Sequence, residues 1–225
     1  MRLGLIADIH SNLHALRAVR ERLDALGVDS VVCAGDIVGY GALPNECCAT
    51  VSRMADLAVV GNHDLAALTR DVRGMNPYAA AASRWTSDQL GPEASMYLSG
   101  LKEKASLETP GRPVAVMHGS PRGAREYVFE DDAAGWMLEE TGAGLLVLGH
   151  THVPFVARFA EGMVVNPGSV GQPRDGDPRA CFAVYDQSSS GCTVVRAVYD
   201  VDGAAEAIRA AGLPRILAER LKVGK

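Results

Sequence analysis

The chain has 225 residues, 48% hydrophobic and 22% charged, a balance that excludes a disordered protein. Lys and Arg number 22 against 27 Asp and Glu, for a net charge of −5. With no polybasic block, stable nucleic-acid binding and an anionic membrane surface are disfavoured, and an anionic substrate needs something other than side-chain cations to attract it.

The length fits one large domain or two small ones. No linker-like segment divides the chain, so one domain over residues 1–225 is expected. The five cysteines (Cys33, Cys47, Cys48, Cys181, Cys192) are odd in number and form no C-x-x-C, which disfavours a disulfide framework and predicts a reducing cytoplasm. The apolar run before Asp8 is too short for a signal sequence, and no run approaches the ~18 apolar residues of a membrane helix.

Five short apolar runs each end abruptly in polar residues: LGLIADIH (3–10), SVVCAGD (30–36), LAVVGNHD (57–64), PVAVMHGS (113–120) and LLVLGHTH (145–152). Without alternation, they read as strands buried on both faces. Between the first two, Ser11 or Asn12 can cap a helix whose Leu13, Leu16, Val19, Leu23 and Leu26 share a face and which Gly27 can end. A second helix is predicted over 44–54. The Ala-rich stretch 65–112 reads as helical, with starts at Asn76-Pro77 and Gly91-Pro92, and is a candidate partial lid. Another helix is expected over 131–142. VPFVARF, GMVVNPG, RACFAVYD and CTVVRAVYD then look like antiparallel hairpin strands, and 203–223 like helices interrupted at Pro214. The outline is α/β, a parallel-rich half followed by an antiparallel half.

Five of the six histidines (His10, His63, His118, His150, His152) fall in the polar ends of the five runs, with Asp8, Asp36, Asn62 and Asp64. Ligands bind beyond the carboxyl ends of strands in open α/β sheets. In extended chain, residues two apart point the same way, so Asp8 with His10, and His150 with His152, are expected to face one cleft. Gly35, Gly61, Gly119 and Gly149 are expected to let the backbone turn beside it. Imidazole with carboxylate suits Mn, Fe, Zn or Ni better than Ca. His14 lies within the first helix and is left as a helix residue.

Asp8-x-His10, Gly35-Asp36, Gly61-Asn62-His63-Asp64, His118 and Gly149-His150-Thr151-His152 resemble the motif series of the calcineurin-like metallophosphoesterases, in the short form of the small bacterial phosphodiesterases. The Gly/Pro-rich segment 166–180 is similar to one that follows the last histidine motif in those proteins. The resemblance implies a four-layer αββα sandwich, two mixed sheets flanked by helices. It implies two divalent ions, Mn²⁺ first among the candidates: Asp8, His10 and His152 at one, Asn62, His118 and His150 at the other, and Asp36 between them. It further implies that His63 assists the leaving group and that Asp64 orients His63. Where many relatives carry a polar residue three places after the second-motif Asp, this chain has Gly39. Arg122, Arg174 and Tyr40 are candidate substrate contacts. Arg179, Trp85 and Trp136 are better explained by surface pairing or packing.

The expected activity is hydrolysis of a small phosphoester, nucleotides included, by activated water, with a phosphodiester favoured. The alternatives are a phosphomonoesterase or protein phosphatase, a dinucleoside polyphosphate hydrolase, and a noncatalytic scaffold like the retromer subunit of this fold. A homo-oligomer is compatible with the composition.

Overall fold

The computed structural model describes residues 1–109 and 111–225. Pro110, near the end of the stretch predicted to be helical, lies outside the described residues. In chain order the elements are β1 (Arg2–Ile6), α1 (Leu13–Leu26), β2 (Ser30–Cys33), α2 (Pro44–Met54), β3 (Leu57–Ala58), α3 (Asn62–Thr69), α4 (Pro77–Gln89) and α5 (Pro92–Gly100). They continue as β4 (Lys104–Leu107), β5 (Val114–Met117), α6 (Trp136–Thr141), β6 (Leu145–Val147), β7 (Phe155–Phe159), β8 (Gly162–Asn166), β9 (Ala180–Asp186), β10 (Gly191–Ala197), α7 (Val201–Ala210) and α8 (Arg215–Leu221).

Side-chain alternation builds the layers. In β1, Leu3 and Leu5 face inward while Ile6 faces the helices; in β2, Val32 faces inward and Val31 and Cys33 face outward. Val114 and Val116 of β5 and Leu145 and Val147 of β6 meet the inner residues of β1 and β2, so one apolar layer lies between two sheets. The outer face of the first sheet is covered by α1, α2, α4, α5, α7 and α8, through residues such as Leu16, Val51, Ala82, Leu98, Ile208 and Leu217. The outer face of the second sheet carries α6, through Met137 and Leu138. This is the predicted four-layer αββα sandwich, with unequal helical layers. Among the described residues no helix is long and apolar enough to cross a membrane.

Strand order corrects the outline read from the sequence. One sheet runs β10-β9-β1-β2-β3 and the other β4-β5-β6-β8-β7. In the first, β1, β2 and β3 are parallel, β9 is antiparallel to β1, and β10 is antiparallel to β9; in the second, β5, β6 and β8 are parallel with β4 and β7 antiparallel at the edges. Both sheets are mixed: β9 and β10 return to flank β1 instead of forming a separate antiparallel half, and β4 and β7 edge the second sheet antiparallel. The stretch 65–112 also holds a strand, β4, whose alternating exposed and half-buried residues pair, among the described residues, with β5 alone. Its helices α4 and α5 pack through Ala79, Ala82, Ala94 and Leu98 into the helical layer. The helix expected over 131–142 spans only Trp136–Thr141, preceded by a short 3₁₀ turn at Glu130–Asp132.

The caps form as predicted where a side chain can reach. Asn12 Oδ1 accepts the Ala15 N–H at 3.1 Å, and Gly27 ends α1 with φ +63°. Asn76 accepts the N–H groups of Tyr78 and Ala79 ahead of Pro77.

Candidate metal centre

The motif loops leave the carboxyl ends of β1, β2 and β3 in one sheet and β5 and β6 in the other, then lace together. The Asp8 and His10 N–H groups donate to the Gly35 and Asp36 carbonyls, each at 3.0 Å, and Gly149 N–H donates to the His118 carbonyl at 3.0 Å. The side chains do not converge by strand alternation. Asp8, His10, Ser11, Asp36, Tyr40, His150 and His152 all have left-handed backbone, with φ between 49° and 72°. Such positions are uncommon outside glycine and store of order 1–3 kcal/mol each, so strain is concentrated in these loops. Of the four glycines expected to turn the chain, Gly35 alone has positive φ (+86°). Gly61 serves close approach instead: a Cβ there would sit 2.1 Å from Asp36 Oδ1.

Two groups of potential ligands result: Asp8, His10 and His152, and Asp36, His118 and His150, the ligand atoms of each lying within 4.8 Å of one another. All six residues are buried. His10 Nδ1 and His152 Nδ1 bond to the carbonyls of Val38 (3.1 Å) and Gln172 (2.6 Å), which only accept, so those nitrogens carry the protons. Burial holds both imidazoles neutral, with pKa values well below the usual 6.5. Their Nε2 lone pairs then face each other at 3.1 Å, with Asp8 Oδ1 3.8 and 3.4 Å away. Two imidazole nitrogens and a carboxylate converging in this way form a donor set that fits a divalent transition ion. Each carbonyl bond is the outer support that fixes a ligating imidazole.

The second group differs in carrying a proton. His118 Nδ1 donates to the Ala34 carbonyl at 2.8 Å, while Nε2 faces Asp36 Oδ2 at 3.2 Å and Asn62 Oδ1 at 3.1 Å. Burial works to lower the His118 pKa, but the Asp36 charge and hydrogen bond outweigh it and hold it at about 10. Burial likewise acts to raise Asp36, and the charge and hydrogen bond of His118 carry it well below the carboxylate range. Asp36 Oδ1 accepts the His63 N–H at 2.8 Å, and Oδ2 lies 3.6 Å from His10 Nε2, so a single oxygen reaches both groups. Burial raises Asp8 to about 7 against the attraction of His118. His150 gives Nε2 to the Arg125 carbonyl at 3.2 Å, leaving Nδ1 free; burial and then the His118 charge lower it to about 4.

His63 lies beside the first group, its ring 4.8 Å from His10 and 4.4 Å from Tyr40. Its Nδ1 is buried without a hydrogen-bond partner, and burial lowers its pKa to about 4. The Asp64 carboxylate binds the backbone around His63 and not its ring. Asp64 Oδ1 accepts the Val38 N–H and Oδ2 the Gly61 N–H, each at 2.9 Å, which caps α3 and ties it to the β2 loop. A carboxylate at the third helical position is better placed for backbone donors than for the side chain next to it. Gly39 explains its own departure from the motif pattern: its φ is +99°, and a Cβ there would lie 2.7 Å from His63 Nδ1.

Tyr40 is 4% exposed and forms a wall against His10 and His63, so it presents little surface to a substrate. Arg174 donates to the Tyr40 hydroxyl at 3.3 Å and to Gln172 Oε1 at 3.1 Å, and its field acts on Asp8, His10, His63 and His152. Among the described residues no carboxylate pairs with it. Arg122 is turned elsewhere, its guanidinium 3.8 Å over the Trp136 ring, because the stack is the nearest compensation for an exposed loop cation. Arg179 pairs with Asp177. Sequence reasoning missed Tyr127, whose ring stacks on His150 at 4.1 Å. Its only signal was an aromatic pair, Tyr127 and Phe129, in an otherwise charged segment.

Mixed sheets with this cluster at their joint carboxyl edge are the architecture of a metallophosphoesterase. A family model for the calcineurin-like phosphoesterase superfamily domain matches residues 1–190, and the chain belongs to that superfamily of metal-dependent phosphoester hydrolases. A metallophosphoesterase crystal structure from Sphaerobacter thermophilus is 37% identical, with TM-score 0.86 over 100% of this chain and 99% of that one. An uncharacterized protein of Methanocaldococcus jannaschii is 36% identical over 99% of this chain and 98% of its own length. A hypothetical protein of Pyrococcus horikoshii, 21% identical with TM-score 0.88 over 100% of this chain and 98% of its own, shares the fold.

Proposed function

We propose that the chain is a phosphodiesterase with a two-metal centre, in which Asp8, His10 and His152 would hold one divalent cation, Asn62, His118 and His150 the other, and Asp36 would serve both. The observation that carries this reading is the convergence of two buried groups of imidazole nitrogens and carboxylate oxygens, with Asp36 Oδ2 within 3.6 Å of His10 Nε2 and 3.2 Å of His118 Nε2. When bound, two divalent cations, Mn²⁺ foremost, polarise a phosphoryl oxygen and ionise water, which is the chemistry of phosphoester hydrolysis.

The chain's own residues supply the rest. Asp8 and Asp36 return only two negative charges to the four positive ones, so the cleft attracts a phosphoester although the protein is acidic overall. Arg174, free of carboxylate partners, adds a further cation at the rim. His63 is neutral, and with no acceptor at Nδ1 its proton belongs on Nε2, ready to hydrogen-bond the leaving oxygen. Asp36 fixes that imidazole through its main-chain N–H, and Asp64 through the cap of α3. The filled ligand set argues against a scaffold. Residues 1–225 act as one domain, since the C-terminal β9 pairs with β1 and Tyr199 Oη accepts a hydrogen bond from Asn12. Five free cysteines support a reducing compartment.

The test compares bis(p-nitrophenyl) phosphate with p-nitrophenyl phosphate under added Mn²⁺. A higher kcat/KM on the diester is expected, and a large monoester preference overturns the diester assignment.

A further inference from the structure

His150 stands on the second ligand group, and Tyr127 covers its ring with planes 18° from parallel. Phe129 continues the series, 6.3 Å from Tyr127 and 12° from parallel. Tyr127 is 52% exposed and Phe129 45%. Three nearly parallel rings therefore run from a buried imidazole beside Asp36 out into solvent. Aromatic rings of this size ordinarily bury, and leaving two so open forgoes hydrophobic free energy that folding does not recover.

The backbone that carries them is fixed. Val128, between the two, is buried with Met137 and Leu138 under the second sheet. The Phe129 N–H donates to Asp132 at 3.0 Å, and the Arg125 carbonyl receives His150 Nε2. Alternation thus points 127 and 129 outward while 128 anchors the strand-like segment. The border is acidic: Glu126, Glu130, Asp131 and Asp132 flank the rings. Such a border repels a second phosphate and leaves the rings to an uncharged planar group.

We infer that Tyr127 and Phe129 form a stacking shelf for the base of a nucleotide-type phosphoester whose phosphate lies at the His/Asp cluster. The inference rests on the phosphoesterase reading and adds the substrate class. Base–aromatic stacking tolerates any base, because every base has a π face, so the shelf selects for a base without selecting which one.

The experiment is calorimetric titration of the Mn²⁺-loaded full chain with AMP and, separately, ribose 5-phosphate. These share the phosphate and differ in the base. AMP is expected to bind ~10-fold more tightly or better, the order set by one stacked base. Tyr127→Ala/Phe129→Ala should bring the ratio close to one, while Tyr127→Phe keeps it. Phe129→Ala, whose ring lies against Tyr127 and not His150, lowers the ratio on its own and carries the test should Tyr127→Ala disturb the cluster. Equal affinities in the unaltered protein, or a ratio untouched by the Phe129 and double variants, overturn the shelf. Hydrolysis of bis(p-nitrophenyl) phosphate is measured alongside. A protein that prefers AMP yet hydrolyses no diester keeps the shelf and loses the phosphodiesterase reading; one that hydrolyses without preferring AMP does the reverse.

Discussion

Replacing Gly39 with alanine adds one methyl group where the structure has least room for it. The new Cβ would lie 2.7 Å from His63 Nδ1, 3.0 Å from its Cβ and 3.1 Å from its Cγ, whereas ordinary contact begins at 3.4 Å. The imidazole must retreat by about 0.7 Å. Its path is closed by Tyr40 at 4.4 Å and His10 at 4.8 Å, so it tilts rather than slides. The backbone φ of +99° adds strain for any residue with a Cβ. Together these cost roughly 1–3 kcal/mol of stability, or about 2–12 °C in Tm for a chain of this size. The catalytic loss is larger, because displacing a hydrogen-bond donor from the leaving oxygen by a fraction of an ångström costs of order 10²-fold. The assay is kcat with Mn²⁺ on two diesters, one losing an alkoxide and one losing p-nitrophenoxide, with metal content measured on the same sample. Gly39→Ala should lose ~10²-fold on the alkoxide, far less on p-nitrophenoxide, and keep both metals. Alkoxide turnover within twofold of the unaltered protein would refute both the wedge at Gly39 and the assignment of His63 to the leaving group.

Asp36→Asn should release at least one metal ion; two ions per chain with full activity, by elemental analysis, defeats the bridging role of Asp36. Asp64→Asn turns an amide N–H₂ toward one of two backbone donors, so it should cost about 1–3 kcal/mol and lower Tm by about 2–12 °C, read by thermal unfolding; an unchanged Tm removes Asp64 from the α3 cap. Metal uptake by chelator-treated protein should release protons. His118, raised to about 10, is protonated below that pH and gives up its proton to the incoming ion; Asp8, raised to about 7, adds a second below pH 7. Apparent affinity for Mn²⁺ therefore falls as pH falls, more steeply below 7, and pH-independent affinity between 6 and 9 contradicts the pairing of His118 with Asp36.

The residues of the cluster and the early helices are legible in the chain because both are local patterns, whereas the four layers follow from the family resemblance those motifs carry. An apolar run ending in Asp-x-His or His-x-His is visible without any partner, and so is the helical face of Leu13, Leu16, Val19 and Leu23. What escaped depends on contacts distant in sequence. The loops converge through left-handed turns at Asp8, His10, Asp36, His150 and His152, held by bonds such as His10 N–H to the Asp36 carbonyl, and no single segment announces them. The return of β9 to β1 places a C-terminal strand beside the N-terminal one, which no neighbouring residue encodes. β4 hid in an Ala-rich helical context because an edge strand needs only one buried face. Adjacency in sequence suggests Asp64 as a partner of the His63 ring, whereas the start of α3 offers it two backbone donors.

Anomalous diffraction at the manganese edge from crystals grown with Mn²⁺ addresses the paired centre most directly. Two peaks are expected, one among Asp8, His10 and His152 and the other among Asn62, His118 and His150, with Asp36 Oδ2 between them. A single peak that leaves one group without metal, or peaks lying away from these side chains, would contradict it.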